Sequence, residues 1–149
     1  MEFDAIVAAN HAAVYRIVTD YDRLERLNSA LIESTLIGGE GDPVKRLRQV
    51  TKTCILFFCF KATLVEDVEE IGTELVLTTI DPLESDFDYG HTRWEVIAEG
   101  DDRTRIHVLS RIRPSFWVPP VIGPWAVKNK MMKEVRETLE QVEVLARRD

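Results

Sequence analysis

The 149-residue chain has only two cysteines and three histidines. That leaves too few soft ligands close in sequence for a zinc site. No Ser-His-Asp order, paired-glutamate motif or phosphate-cradling glycine loop occurs, so no catalytic residue, metal or cofactor is assigned by motif. No apolar run approaches the roughly 18 residues that span a bilayer. The N-terminus lacks the charged, then apolar, then small-residue order of a signal peptide. Met1 stands almost on the first strand, so any targeting segment would lie upstream of this sequence. Positive charge is in deficit too: 26 acidic residues against 19 basic ones give a net charge of −7. That balance repels phosphate backbones and argues against a nucleic-acid partner. Cys54 and Cys59 lie five apart in Cys54-Ile55-Leu56-Phe57-Phe58-Cys59. In a regular strand that odd separation puts them on opposite faces, which argues against a disulfide. Two buried free thiols and a reducing, cytoplasmic setting are therefore expected.

What is present is an ordinary globular composition, 45% hydrophobic and 30% charged, long enough for one domain over residues 1–149 with a substantial core. Glu2 to Ala8 alternates as a strand. Asn10 offers an N-cap for a helix from His11 to Thr19, with Val14, Ile17 and Val18 on one face, and Asp20 a cap for a second short helix, Tyr21 to Leu27. Leu31 to Ile37 reads as a strand stopped by the glycine-rich turn Gly38 to Pro43. Val44 to Thr53 continues into the apolar run Cys54 to Phe60. Ala62 to Val68 and Thr73 to Ile80 flank a turn at Glu69 to Gly72. A polar loop from Asp81 through Gly90 precedes a last hairpin, His91 to Ala98 with Arg103 to Arg113.

After Arg113 the pattern changes. The segment Pro114 to Trp125 holds four prolines, so it continues neither strand nor helix, yet it is apolar and aromatic where a loop is usually polar. From Pro124 or a few residues earlier, Val127, Met131, Val135, Leu139, Val142 and Ala146 recur at steps of three and four, the stripe of an amphipathic helix. Such a helix of ~25 residues runs ~38 Å, enough to cross a sheet. Short strand links imply an antiparallel sheet of about seven strands, and twisted strands curl. One long helix must cover the concave face without filling it, so a cavity is expected between them.

This order, with Val14-Tyr15-Arg16-Ile17-Val18-Thr19-Asp20-Tyr21-Asp22-Arg23-Leu24, Ser85-Asp86-Phe87, Tyr89-Gly90, Phe116-Trp117-Val118-Pro119-Pro120 and Gly123-Pro124, resembles the START-like (SRPBCC) superfamily over the whole chain. The branch it looks like is that of polyketide cyclases/dehydrases and lipid transport. Asn10-His11 stands where members usually carry a proline at the first helix. The resemblance implies an α+β helix-grip fold: a curved antiparallel sheet of about seven strands around a long C-terminal helix, with two short helices after the first strand. It does not choose among lipid carriers, coenzyme-Q-binding proteins, a ribosome-association toxin, aromatic cyclases and ring-hydroxylase subunits.

Trp94, Val96, Ile106, Val108 and Ile112 share one side of the last hairpin and, with Leu75, Leu77, Trp125, Met131 and Val135, are expected either to fill a core or to line the cavity. Ser110 is the polar member of that row, placed to orient a ligand or to bond locally to backbone. Phe116 and Trp117 are expected at a gate. His11 and His107 read as surface residues. His91, near Asp86 and Asp88, is the one histidine placed to reach the cavity rim as a base. Lys128, Lys130 and Lys133 sit near the helix N-terminus, where the macrodipole favours anions. They serve either plain solubility or peripheral contact with an anionic membrane surface. The expected function is binding or transport of a hydrophobic small molecule (lipid, quinone or polyketide-like), more carrier than enzyme. The alternatives are a cyclase/dehydratase and, behind it, a protein-interaction module of the ribosome-association type.

Overall fold

A computed structural model describes residues 1–148; Asp149, which the expected domain includes, lies outside the described residues. In chain order the elements are β1 (Glu2–Val7), α1 (His11–Val18), a 3₁₀ segment (Tyr21–Leu27), β2 (Leu31–Gly38), β3 (Val44–Ile55), β4 (Phe58–Ile71), β5 (Leu75–Ile80), β6 (Phe87–Ala98), β7 (Thr104–Pro114) and α2 (Pro124–Arg148). The strands form one antiparallel sheet in the order β1-β7-β6-β5-β4-β3-β2. This is the α+β helix-grip architecture. The two edge strands are consecutive in sequence, and α1 with the 3₁₀ segment carries the chain between them.

Local chemistry places most boundaries. Asn10 caps α1, its side-chain oxygen accepting from the Ala13 backbone N–H at 2.9 Å, and Ala13, Val14 and Ile17 form the buried face. Asp20 does not cap the next segment. Its carboxylate pairs instead with Arg26 at 3.2 Å and Arg23 at 3.6 Å, and the segment kinks at Arg23. Gly123 accepts the first bond of α2 and Pro124 stands at its first position, where a missing N–H costs nothing. Tyr89 and Gly90, expected in a loop, belong to β6. A Cβ at Gly90 would lie 2.0 Å from the Ile80 side chain, so the strand can run through this point only without one.

The cysteine expectation is overturned. Cys54 and Cys59 form a disulfide, with Cα atoms 4.0 Å apart. The run from Cys54 to Phe60 is not one strand: the chain reverses at Leu56-Phe57, making Cys54 and Cys59 directly opposed partners in the β3–β4 hairpin. Directly opposed residues share a face, so the parity argument fails. Nothing in Ile-Leu-Phe-Phe signals a turn. Leu56 takes the positive φ of 56° usually left to glycine. With the free thiols goes the ground for expecting a reducing compartment.

Helix α2 is held at both ends. Its C-terminal half buries Leu139, Val142 and Ala146 against Val7, Val14, Ile17, Val96, Ile106 and Val108. At its N-terminal end Ala126 packs with Ile122 against Ile55 of the β3 tip, and Val118 of the connector joins them. Phe116 anchors the connector on Phe60 and Phe87, with ring centroids 4.9 and 5.9 Å away. Leu139 is buried and Glu140, its neighbour, is exposed. We expect Leu139→Ala to lower stability by about 2–5 kcal/mol and Glu140→Ala to have little effect, read by urea denaturation. Equal losses would show that the seam is misplaced.

Candidate functional site

Between its two anchored ends, α2 stands off the sheet over a cavity of about 340 Å³. The floor is the inward rows of the sheet: Leu47, Gln49 and Thr51 of β3, Leu64, Glu66 and Val68 of β4, Val76 and Thr78 of β5, Thr92 and Trp94 of β6, and Val108, Ser110 and Ile112 of β7. Met131, Glu134, Val135 and Thr138 of α2 roof it, and Tyr21, Leu24 and Leu27 of the 3₁₀ segment close one side. Asn28 ties roof to side wall, its amide donating to the Glu134 carbonyl at 3.0 Å and to the Thr138 hydroxyl at 3.1 Å.

The wall is apolar except for a few directed groups. Ser110 and Thr92 hydroxyls bond to each other at 2.8 Å. Thr53 donates to the Glu134 carboxylate at 2.9 Å; burial nevertheless holds that carboxyl above its usual range. Glu66 is only 8% exposed and has no basic partner among the described residues. Burial pushes its pKa up to about 7, the Thr78 hydroxyl opposing this in part. Four residues along β4, Glu70 has the opposite surroundings: it accepts from Lys45 at 2.6 Å and from the Tyr15 hydroxyl at 2.8 Å. Tyr21 lies on Leu47, Val68 and Val76, and its buried hydroxyl stands beside the Glu70 carboxylate without a hydrogen bond of good geometry. Burial, and then the Glu70 charge, drives its pKa upward, so the phenol stays protonated.

Of the residues expected to line a cavity, Trp94, Val108, Ser110, Ile112, Met131 and Val135 do stand on its wall. Val96 and Ile106 do not. They are fully buried in the core under the C-terminal half of α2, because the helix closes onto that end of β6 and β7. Trp125 is 63% exposed, its ring turned back over Gly123. Phe116 and Trp117, expected at a gate, are not on the wall: the first is fixed among phenylalanines and the second is 71% exposed. Leu75 and Leu77 face outward and Val76 and Thr78 inward; both rows of β5 are largely apolar, so alternation there does not distinguish the faces.

No histidine lines the cavity. His91 stands on the outer face beside Thr79, 3.3 Å away, and its proposed partners are elsewhere: Asp86 accepts from the Thr63 N–H and Asp88 faces Arg113. His107 pairs outside with Glu2 and Glu95. His11, expected in solvent, meets the Val96 carbonyl at 2.9 Å. Among the described residues no group of three or more His, Cys, Asp or Glu is arranged to hold a metal. Glu66 and Tyr21 are the site residues that sequence reading missed. The signal for Glu66 was present, since it interrupts the inward row Ala62, Leu64, Val68 with a carboxylate. Tyr21 gave none, because its side chain is placed by tertiary packing of an irregular segment.

The family model described as polyketide cyclase / dehydrase and lipid transport matches residues 1–147. The chain belongs to this family. Solved structures agree at the level of fold. A START superfamily protein from Mycobacterium smegmatis is 18% identical with a TM-score of 0.77, over 99% of this chain and 97% of that one. A protein from Thermus thermophilus is 20% identical with a TM-score of 0.78, over 98% and 95%. The Zhui aromatase/cyclase of Streptomyces sp. R1128 is 12% identical with a TM-score of 0.79, over 99% and 93%. No curated protein matches by sequence. For this cyclase/dehydrase and lipid-transport family member, Glu66 makes stability depend on pH. Its ordinary value is 4.5 and its folded value about 7. Unfolded chains lose that proton first, so the favourable contribution is complete below 4.5 and is lost as pH rises to about 7. Glu66→Gln abolishes the titration. We expect the variant to gain up to about 3 kcal/mol on the parent between pH 4.5 and 7.5 in urea unfolding. A constant difference would contradict the burial.

Proposed function

We propose that this chain is a non-enzymatic binding or transport protein for a largely apolar small molecule (lipid, quinone or polyketide-like), held between α2 and the concave sheet. The observation that carries this reading is the cavity of about 340 Å³, with its apolar wall and few inward polar groups. That volume lies in the range of small-molecule pockets. Family membership supports it, since the family's own description spans lipid transport and cyclase/dehydrase chemistry. Trp94 on the wall gives a direct readout. We expect a short-chain quinone to quench tryptophan fluorescence saturably and Ser110→Trp, which fills the floor, to remove the saturable part. Unchanged quenching in that variant would place binding elsewhere. A second reading, cyclase or dehydratase action on a polyketide-like ligand, is favoured by one observation: a carboxyl poised near neutrality inside the cavity. A released product of altered mass would establish it.

The same reading includes peripheral contact with an anionic membrane. Ile55, Ile122 and Ala126 form one small buried cluster, and Leu56, Phe57, Trp117, Val121 and Trp125, its neighbours in sequence, are all exposed. The two stretches that meet there, residues 44–65 and 103–133, hold none of the 26 acidic residues. Lys52, Lys61, Lys128 and Lys133 are exposed and make no ion pair among the described residues. Apolar tips ringed by unpaired lysines suit a negatively charged lipid surface. We expect flotation with phosphatidylglycerol vesicles at low salt, none with phosphatidylcholine alone, and release as salt shortens the screening length below about 8 Å. Phe57→Asp with Trp117→Asp should abolish flotation; equal flotation on neutral vesicles would contradict the charge argument.

A further inference from the structure

We propose that the Cys54–Cys59 disulfide is a thiol–disulfide exchange site whose reduction frees the N-terminal end of α2. The β3–β4 hairpin that carries it has two faces of opposite use. Its inner face holds the roof of the cavity. Thr53 donates to the Glu134 carboxylate at 2.9 Å, Ile55 packs on Ile122 and Ala126, and the Phe60 ring lies 4.9 Å from that of Phe116. The alternate residues of each strand point the other way. Cys54 and Cys59, directly opposed, are exposed on that outer face. So are Lys52 and Lys61, the directly opposed pair one step farther from the tip on the same face.

Access and charge both favour exchange. Each cysteine is open to solvent, so an attacking thiolate can reach the bond without unfolding the chain. The reductant is a dithiol. One of its thiolates attacks a sulfur of the Cys54–Cys59 bond and releases the other as a thiolate, and its second sulfur then breaks the mixed disulfide. Two electrons and two protons pass to the protein, which gains two thiols, and the dithiol becomes a disulfide. Lys52 and Lys61 flank the cysteines on their own face, and residues 44–65 hold no acidic residue. The two ammonium groups attract the anionic attacker and stabilise the thiolate that leaves.

The bond matters because the turn it closes has no turn chemistry of its own. The reversal puts Leu56 at a φ of 56°, and both Leu56 and Phe57 are exposed, so packing does not hold them there. With the bond cut, the turn relaxes, and Ile55 beside it loses its fixed place against Ile122 and Ala126. The other end of α2 is held independently through Leu139, Val142 and Ala146. The helix therefore stays attached while its first turns loosen. Met131 and Glu134 roof the cavity just beyond the released end, so reduction frees the roof there. That last consequence rests on the carrier reading; the exchange and the loosening do not.

The test is the rate at which dithiothreitol reduces the full chain in native buffer, read by mass after alkylation, with hydrogen exchange of α2 before and after. The chain has no other cysteine, so the reductant acts only at this bond. At low salt we expect Lys52→Gln with Lys61→Gln to slow reduction about five-fold, a difference that shrinks as salt screens the charges. After reduction, the amides of residues 127–133 should exchange about ten-fold faster, while those of residues 139–146 keep their protection. Cys54→Ser with Cys59→Ser should show the same fast exchange with no reductant present. Neither readout uses a ligand, so a failure of the carrier reading leaves both standing. Equal reduction rates in the parent and the lysine variant, or unchanged exchange at the start of α2 in the reduced chain and the serine variant, would overturn the proposal.

Discussion

One helix laid across a curved seven-stranded sheet cannot touch all of it, and most of this structure follows from that mismatch. The C-terminal half of α2 reaches the core through Leu139, Val142 and Ala146, and Ala126 at the other end is pinned to the β3 tip and the connector. The span between them is left over a hollow that Met131, Val135 and Trp94 border without filling. Elsewhere the core is closed to solvent, with Val14, Val96, Ile106 and Val142 wholly buried. The hollow is therefore a consequence of geometry localised by two good contacts, and does not reflect a loose core.

Electrostatics then divides the interior. Glu66 and Glu70 stand four residues apart on one strand, yet Glu70 has a lysine and a phenol while Glu66 has a threonine and a cavity. Paired, a buried carboxylate is ordinary; unpaired, it moves toward neutrality, because desolvation outweighs one hydroxyl contact. Such a group destabilises the empty fold above neutral pH, and function is a common reason for a protein to retain one. The polar groups of the wall are thus set among apolar ones, on the sheet at Glu66, Thr78, Thr92 and Ser110 and on the roof at Glu134 and Thr138.

The fold was legible because its signals are long and regular: the change from strand alternation to helical period after Arg113, and the stripe from Val127 to Ala146. The site was legible only where one row of a strand is plainly apolar, as for Trp94, Val108 and Ser110. Where both rows are apolar, as at Leu75 to Ile80, parity alone does not tell inside from outside. The disulfide was hidden by a turn built from Leu56 and Phe57, residues that carry no turn chemistry and adopt the reversal because the flanking strands impose it. Trp125 shows a further limit: its place on the helix was clear, but which way its ring turns depends on Gly123 beside it.

The account stands on an apolar ligand lying under the middle of α2. The most direct measurement is the set of nuclear Overhauser contacts between the methyl protons of bound 2,3-dimethyl-1,4-naphthoquinone and the protein. The account predicts contacts to Trp94 and Val108, paired on the floor of the cavity, and to Met131 on its roof. Contacts confined to Trp117 and Trp125, on the exposed apolar end of the molecule, would contradict it.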